Sequence, residues 1–580
     1  MRQTLTAPRG MVTAPHHLAG NSALSVLREG GNAIEAMLPA AASIAVYPHI
    51  NSIGGDGFWI VSVPGREPVA IDACGRAVGL ATRLFYTSQG LQAIPARGPL
   101  AANTAAGAIS GWQEALTHSA RLGGRLPMSR LLQDAIWYAR NGAPVTQSQV
   151  NFTTRFFTEL GHQPGFATQF LNRSQGNEGP LPSFLDPEGH EGAPSWPLGP
   201  DAKWQVWGHS EPQNRQLGNQ VPEVNTLRKY PALGSTLQTL SDKGLDDYYR
   251  GGVASAIAAE HERLGGPIRL SDLHAQRASS VPPLSVKVAG ARLYNMAPPT
   301  QGVASLMILA IFEKLRLRHD IRDAQGFEYL HAIVEATKQA FKVRNRHVAD
   351  PATMAVRGVT PEEFLTDAFI DSCVEAVDMA RALPWPEKSV HGDTIWMGTA
   401  DSAGRMVSYI QSVYWEFGSG VVLSDTGIVW QNRGSSFSLD ASSHLALAPH
   451  KKPFHTLNPA HARFDDGRHM VYGAMGGDGQ PQSQSALFSR YAMFGQTLQA
   501  AVSAPRWLLG KTWGQESTTL KFENRVDAMT LKALAVAGHD VEVLSDYSDT
   551  MGHAGAIVRQ PDGLYLGAAD PRSDGVIAAF

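Results

Sequence analysis

Three features of this 580-residue sequence predict an α+β protein. Two runs rich in β-branched and aromatic residues, Thr394 to Ala400 and Arg405 to Val413, flank Asp401-Ser402-Ala403-Gly404, a chain-reversing cluster. Glu328 to Arg344 carries Leu330, Ile333, Val334, Ala340 and Phe341 at the spacing of one buried helix face. Hydrophobic residues at 43% and charged residues at 17% are the proportions of a globular chain with a large core. Length alone predicts two to four domains. A net charge of −3 leaves no electrostatic footprint for nucleic acid or an anionic membrane.

Residues 15–50 read as a helix and a second apolar segment, with Gly30-Gly31-Asn32 as the break. No apolar h-region follows Met1, so a secretory signal is not expected and the cytoplasm is the expected location. Ser52-Ile53-Gly54-Gly55-Asp56-Gly57-Phe58 leads into a strand from Trp59 to Val63. A dinucleotide fingerprint follows a strand and opens a helix, so close backbone packing or a ligand-side loop is the better reading. From about Gly161 to Gln220 the sequence is rich in Pro, Gly, Asn, Gln and Trp and reads as an irregular loop or lid, with Trp196, Trp204 and Trp207 as pins. Helices are expected at Tyr230 to Tyr249, Val253 to Arg263 and Ser305 to Leu315. The last follows a rigid loop, Ala297-Pro298-Pro299-Thr300-Gln301-Gly302. Residues 380–393, with Pro384, Pro386 and Lys388, form a polar approach where cleavable backbone is expected. Cys74 and Cys373 have no metal-site spacing, and a bond between them is left open.

A hairpin centred near Ala403 sets Thr394 directly opposite Ser412, where paired side chains have Cβ atoms about 4.5–5.5 Å apart. Two hydroxyls then face each other, either as a polar cross-strand pair or as part of a site. Ala474-Met475-Gly476-Gly477-Asp478-Gly479 follows a strand at His469 to Gly473 and precedes a helix from about Gln482. Free N–H groups at Gly476 and Gly477 suit an anion or an oxyanion, against a tight turn alone.

These pieces resemble, in order and nearly end to end, the γ-glutamyltransferase family of N-terminal-nucleophile hydrolases. The resemblance rests on Gly30-Gly31-Asn32-Ala33, Gly54-Gly55-Asp56-Gly57-Phe58, Glu335-Ala336-Thr337-Lys338, Thr394, Phe417-Gly418-Ser419-Gly420, Gly476-Gly477 and Asp570-Pro571-Arg572-Ser573. It implies a four-layer αββα sandwich in place of several domains. It also implies a proenzyme cut between Asp393 and Thr394, whose chains 1–393 and 394–580 stay together in one fold. Thr394 is then the nucleophile and its own α-amine the base, with an ordinary pKa of about 7.7–8.0. Ser412 orients it, and Gly476 and Gly477 hold the oxyanion. The chemistry calls for no metal or organic cofactor, and the partner is a small-molecule amide; a homodimer is left open.

The substrate positions depart from the family. Its carboxylate-clamping arginine corresponds to Cys74, with Arg76 two places on. Its ammonium-binding acid corresponds to Ser436, its asparagine to Tyr414, and its paired serines to His455-Thr456. A pocket with Arg433, and His455 as a second source of positive charge, prefers a carboxylate without an ammonium. Tyr414 and Trp415 narrow it, or else serve sheet packing, and Arg433 has a structural ion-pair role as its alternative. Tyr47-Pro48-His49, Pro298-Pro299-Thr300-Gln301-Gly302, Gly392 to Gly398 and Tyr414 to Gly420 are similar to the oxamate amidohydrolase branch. The expected enzyme is a self-processing amidohydrolase of a small carboxylate-bearing amide. The alternatives are a γ-glutamyltransferase or glutathione hydrolase, an acylase of larger amides, and an uncleaved binding protein.

Overall fold

Alternation along the central strands decides the layering. In the strand Asp56–Ser62, Trp59 and Val61 join a core with the helices His17–Arg28, Ala33–Ile44 and Ala108–Arg121. Phe58 and Ile60 point the other way, into an inter-sheet core with Trp396, Ile410 and Leu457. The second sheet repeats the pattern. Met470 and Tyr472 meet the helices Gly302–Arg318 and Phe327–His347, while Val471 and Ile557 turn inward toward Met11 and Met406. Sheets with both faces apolar are buried twice over, and the result is helix, sheet, sheet, helix. The computed structural model describes residues 3–47, 49–172, 220–386, 394–510 and 517–580.

The first sheet runs Val576–Ala579, Met11–Ala14, Ile395–Ala400, Met406–Ser412, Asp56–Ser62, Val69–Ala73 and Ser279–Val281. The second runs Leu5–Ala7, Tyr565–Ala569, Ala554–Arg559, His469–Ala474, Ala460–Phe464, Ala291–Asn295 and Leu284–Val288. Each sheet therefore mixes strands from before and after position 394. In the central hairpin, Ile395 pairs with Gln411 and Ala400 with Met406. One further step in that register puts Thr394 opposite Ser412, as the sequence predicts.

Local signals explain most boundaries. Gly30 takes a φ of 90°, and Asn32 caps the next helix by accepting the Ile34 and Glu35 N–H groups while Glu35 accepts its own N–H. The helix expected from about Gln482 begins at Gly479. Pro481 falls in its first turn, where a missing N–H costs nothing. Within the stretch expected to be irregular, Phe166–Phe170 forms a short helix whose rings lie 5.1 and 4.7 Å from Phe417. Trp196, Trp204, Trp207, Lys388 and Asp393 lie outside the described residues. Both cysteines are free and buried. No helix of the described residues is long and apolar enough to cross a membrane.

Trp396, two residues beyond Thr394, lies in an inter-sheet slot made by glycines. A methyl group on Gly473 would sit 2.1 Å from its Cδ1, and one on Gly555 2.6 Å from its Cζ3. Its Nε1 donates to Ser408 Oγ at 2.9 Å, which fixes the ring. Gly473→Ala should therefore cost about 1–3 kcal/mol, read as a lower urea midpoint. An unchanged midpoint would mean that the ring can leave the slot.

Candidate active site

Thr394 sits at the start of the central hairpin, fully buried, and Gln480 Nε2 donates to its Oγ1 at 3.3 Å. Across the ladder, Ser412 Oγ accepts the Tyr414 N–H at 2.8 Å. Tyr414 has a φ of 85°, a left-handed conformation that costs a tyrosine about 1–3 kcal/mol. The bend brings its ring beneath a guanidinium, with Arg433 Cζ 3.6 Å from the ring centroid. Two hydrogen bonds hold the segments together. Asn432 N–H donates to Val413 O at 3.3 Å, and Asn432 Oδ1 accepts the Trp415 N–H at 3.2 Å.

Arg433 opens a short 3-10 turn, Arg433–Ser436, and is wholly buried. Its Nη2 donates to Thr456 Oγ1 at 3.3 Å. Among the described residues, its Nε and Nη1 have no partner. Burial pulls its pKa down to about 10, opposed by Tyr414, Asp56 and Cys74, so the charge persists at neutral pH. A buried cation with two unmet donors is an unfavourable arrangement that an anionic ligand corrects.

Beside it lies a cluster the sequence spacing does not announce. Asp56 Oδ1 accepts N–H groups from Gly75 and Gly107, each at 2.9 Å, and from Gln431 Nε2 at 3.0 Å. Its Oδ2 lies 3.1 Å from His455 Nε2, while His455 Nδ1 faces the Leu457 N–H at 3.5 Å. Burial pushes Asp56 up to about 7 against these hydrogen bonds and Arg433. Burial and Arg433 hold His455 well below its ordinary pKa, and burial raises the Cys74 thiol. His455 is thus a neutral donor to Asp56, which corrects its expected role as a second positive charge.

Asp56, Cys74 and His455 bring three ligating atoms within 4.8 Å, as do His331, Glu335 and His539. Asp56 Oδ1 already holds three donors, and Arg433 opposes a cation there. In the other group Glu335 pairs with Lys338 at 2.7 Å, and both His331 nitrogens are engaged, with His539 and the Asp378 carbonyl. Neither donor set is poised for a metal.

The glycine pair lies on the second sheet's side. Gly476 and Gly477 take φ values of 112° and 45°, just ahead of the helix Gly479–Phe488. Among the described residues no acceptor takes either N–H. Gln301 fixes this turn to the pocket by donating from Nε2 to both Gly477 O and Thr456 O, each at 2.8 Å. Its Oε1 accepts Arg344 Nη1 at 2.8 Å, and Arg344 is paired with Asp478 at 2.6 Å. The loop 298–302 is itself bound to His455 through the Gln301 N–H to His455 O bond at 2.9 Å.

Contacts therefore connect Thr394, Ser412, Tyr414, Arg433, His455, Thr456 and Gly477. Ser436 stands at the edge, where its Oγ donates to Phe454 O at 3.3 Å. Arg76 is not part of the site. It is exposed and donates to the His450 carbonyl at 2.9 Å, leaving Cys74 in the pocket. Asp56, Gln301 and Gln480 escape the sequence reading. Asp56 had a signal, an acid opening a strand that is otherwise buried and largely apolar; Gln480 had none.

Two buried arginines of opposite bonding give a test. Arg344→Met strands Asp478 and should destabilise by about 3–5 kcal/mol. Arg433→Met removes an uncompensated charge and should leave the unliganded protein as stable or more so. A loss at Arg433 as large as that at Arg344 would make Arg433 a structural residue.

Comparison with known proteins agrees with this architecture. The family model "Gamma-glutamyltranspeptidase" matches residues 19–181 and 213–580. The chain is 48% identical to the oxamate amidohydrolase proenzyme of Klebsiella pneumoniae, over 100% of both chains. It is 33% identical to the glutathione hydrolase-like YwrD proenzyme of Bacillus subtilis, over 99% of each. The solved cephalosporin acylase from Bacillus halodurans aligns with a TM-score of 0.82 at 28% identity, over 100% of this chain and 97% of that one. The chain belongs to the gamma-glutamyltranspeptidase family of hydrolases, with the N-terminal-nucleophile fold.

Proposed function

We propose that the chain is a proenzyme that cuts itself between Asp393 and Thr394, and that the mature protein hydrolyses a small amide bearing a carboxylate, with oxamate as the substrate. The observation that carries the substrate reading is the buried Arg433 guanidinium, whose Nε and Nη1 await an anion. The nearby acid, Asp56, has both oxygens engaged by N–H donors and His455, which makes it a poor partner for a substrate ammonium. The 48% identical relative named as an oxamate amidohydrolase supports the same choice.

In this reading the Thr394 hydroxyl attacks the amide carbonyl and its proton passes to the α-amine. The negative charge that develops on oxygen meets the Gly476 and Gly477 N–H groups. Such donors are worth about 10²–10³ in kcat each. The amine then hands its proton to the leaving nitrogen and ammonia departs. Water, activated by the same amine, hydrolyses the acyl-enzyme. Ser412 orients the hydroxyl from across the ladder, and Gln480 bonds it from the helix start. Thr456 steadies Arg433 while the Tyr414 ring beneath it limits the pocket's depth.

Intact mass of the purified protein should show two chains, the smaller starting at Thr394, and Thr394→Ala should remain whole and inactive. Ammonia release from oxamate should exceed hydrolysis of a γ-glutamyl anilide, and Arg433→Ala should mainly raise KM. A persistent single chain with no ammonia release would overturn the enzyme reading, and preference for the anilide would favour a glutathione hydrolase.

The pH dependence has a definite sign. With its pKa raised from 3.8 to about 7, Asp56 is neutral below neutrality and anionic above it. His455 stays neutral and the Cys74 thiol protonated throughout, so Asp56 alone changes charge beside Arg433. An ionised Asp56 compensates Arg433 and repels the substrate carboxylate. KM for oxamate should therefore rise above pH ~7, and in Asp56→Asn it should stay flat. A rise that survives in Asp56→Asn would assign the titration elsewhere.

A further inference from the structure

Gln480 meets Thr394 with one end of its carboxamide and leaves the other end unpaired. It stands at the start of the helix Gly479–Phe488 and is wholly buried. Its Nε2 donates to Thr394 Oγ1 at 3.3 Å, while its Oε1 is buried and, among the described residues, has no donor. The next two glutamines of the same helix use both ends. Gln482 donates to the Asp478 and Leu509 carbonyls and accepts the Leu509 N–H. Gln484 donates to Asn458 O and accepts from Asn295 and Ser305. Burying an acceptor without a donor is unfavourable, and a hydrocarbon side chain of equal length avoids it. Packing alone therefore gives no reason for a glutamine at 480.

The dimensions of an amide show what the unpaired end fits. The oxygen and nitrogen of a carboxamide are about 2.2 Å apart. Once Thr394 Oγ1 bonds to an amide carbon, Oγ1 and the amide nitrogen share that carbon and lie about 2.4 Å apart by the same bond lengths. The two pairs match in span and are opposite in hydrogen-bonding sense. The Thr394 hydroxyl gives its own proton to the α-amine, so the group against Oγ1 has to donate, and Nε2 does.

We propose that Gln480 is a further catalytic residue that binds the reacting centre at two points, Nε2 on Thr394 Oγ1 and Oε1 on an N–H of the substrate amide, and so selects amides that carry an N–H. This rests on the reading of Thr394 as nucleophile and of a small amide as substrate. Attack forms the Oγ1–C bond as the hydroxyl proton passes to the α-amine and the carbonyl electron pair moves onto oxygen. One N–H of the former amide lies on Oε1, which leaves the nitrogen lone pair for the proton now on the amine. The C–N bond breaks, that proton completes ammonia, and the carbonyl re-forms as the acyl-enzyme. Water then takes the nitrogen's place, with one O–H on Oε1 and the other proton passing to the amine as its oxygen attacks.

Oxamate and its N-methyl and N,N-dimethyl derivatives, which carry two, one and no N–H groups, test this on the mature protein. Each methyl adds similar bulk. In the wild type the second methyl should therefore lower kcat/KM more than the first, by on the order of tenfold. In the near-isosteric Gln480→Met, kcat for oxamate should fall on the order of tenfold to a hundredfold, and the second methyl should cost no more than the first. Its thermal midpoint should equal or exceed that of the wild type, because the unpaired acceptor is gone. Wild-type kcat and wild-type amide preference in Gln480→Met would overturn the proposal with Thr394 still the nucleophile. A lower midpoint with unchanged amide preference would give Gln480 a structural role instead. Should Gln480→Met stay uncut, the wild-type series decides, and equal losses at the two methyls overturn the proposal. No turnover of oxamate by the wild type would instead remove the substrate reading, and this inference with it.

Discussion

One carboxylate holds the pocket's walls in place. Asp56 gathers N–H groups from Gly75, Gly107, Gln431 and His455, which reach it from four separate segments of the chain. The approach is so close that side chains are excluded. A Cβ at Gly75 would lie 1.6 Å from Ala105 O, and one at Gly107 1.9 Å from Ala73 O. Burying a carboxyl is costly unless its oxygens are satisfied, and here the satisfaction is the architecture. The same atom group sets the tautomer of His455 and, with Tyr414 and Cys74, helps keep Arg433 charged. Loop positions, the imidazole tautomer and part of the guanidinium's environment follow from one residue.

The division between readable and hidden features follows the range of the interactions. The Thr394–Ser412 pairing was legible because a hairpin's register is set by its own turn, and the two residues are joined by 17 others in one local unit. The helix at 327–347 announces itself by apolar periodicity, and the one at 302–318 by an apolar run that is buried on every side over its first three turns. Arg433 could be singled out by type, but its neighbours could not. Gln301 meets Gly477 across 176 residues and Thr456 across 155, and no local pattern encodes those distances. Counting along the chain near Cys74 kept Arg76 in view, but both follow the strand Val69–Ala73, where the two-residue alternation no longer holds, and Cys74 is buried while Arg76 is exposed.

The structure also separates what is rigid in this site from what is adjustable. The surroundings of Thr394 are built largely from backbone: a ladder register, a glycine turn and a helix start. The surroundings of Arg433 are built from side chains, with Tyr414, His455 and Thr456 standing on short loops.

The mixing of strands has a consequence for how the mature molecule persists. The first sheet interposes Ile395–Ala400 and Met406–Ser412 between Met11–Ala14 and Asp56–Ser62, and the second joins Ala460–Phe464 to Ala291–Asn295. As one chain, this arrangement is reached by intramolecular search. With the chain cut ahead of Thr394 as proposed, the same assembly would require two molecules to find each other, and its recovery after unfolding would depend on concentration. The uncut chain would then be the foldable species, and the cut form would survive by the height of its unfolding barrier, its lifetime set by a rate more than by an equilibrium.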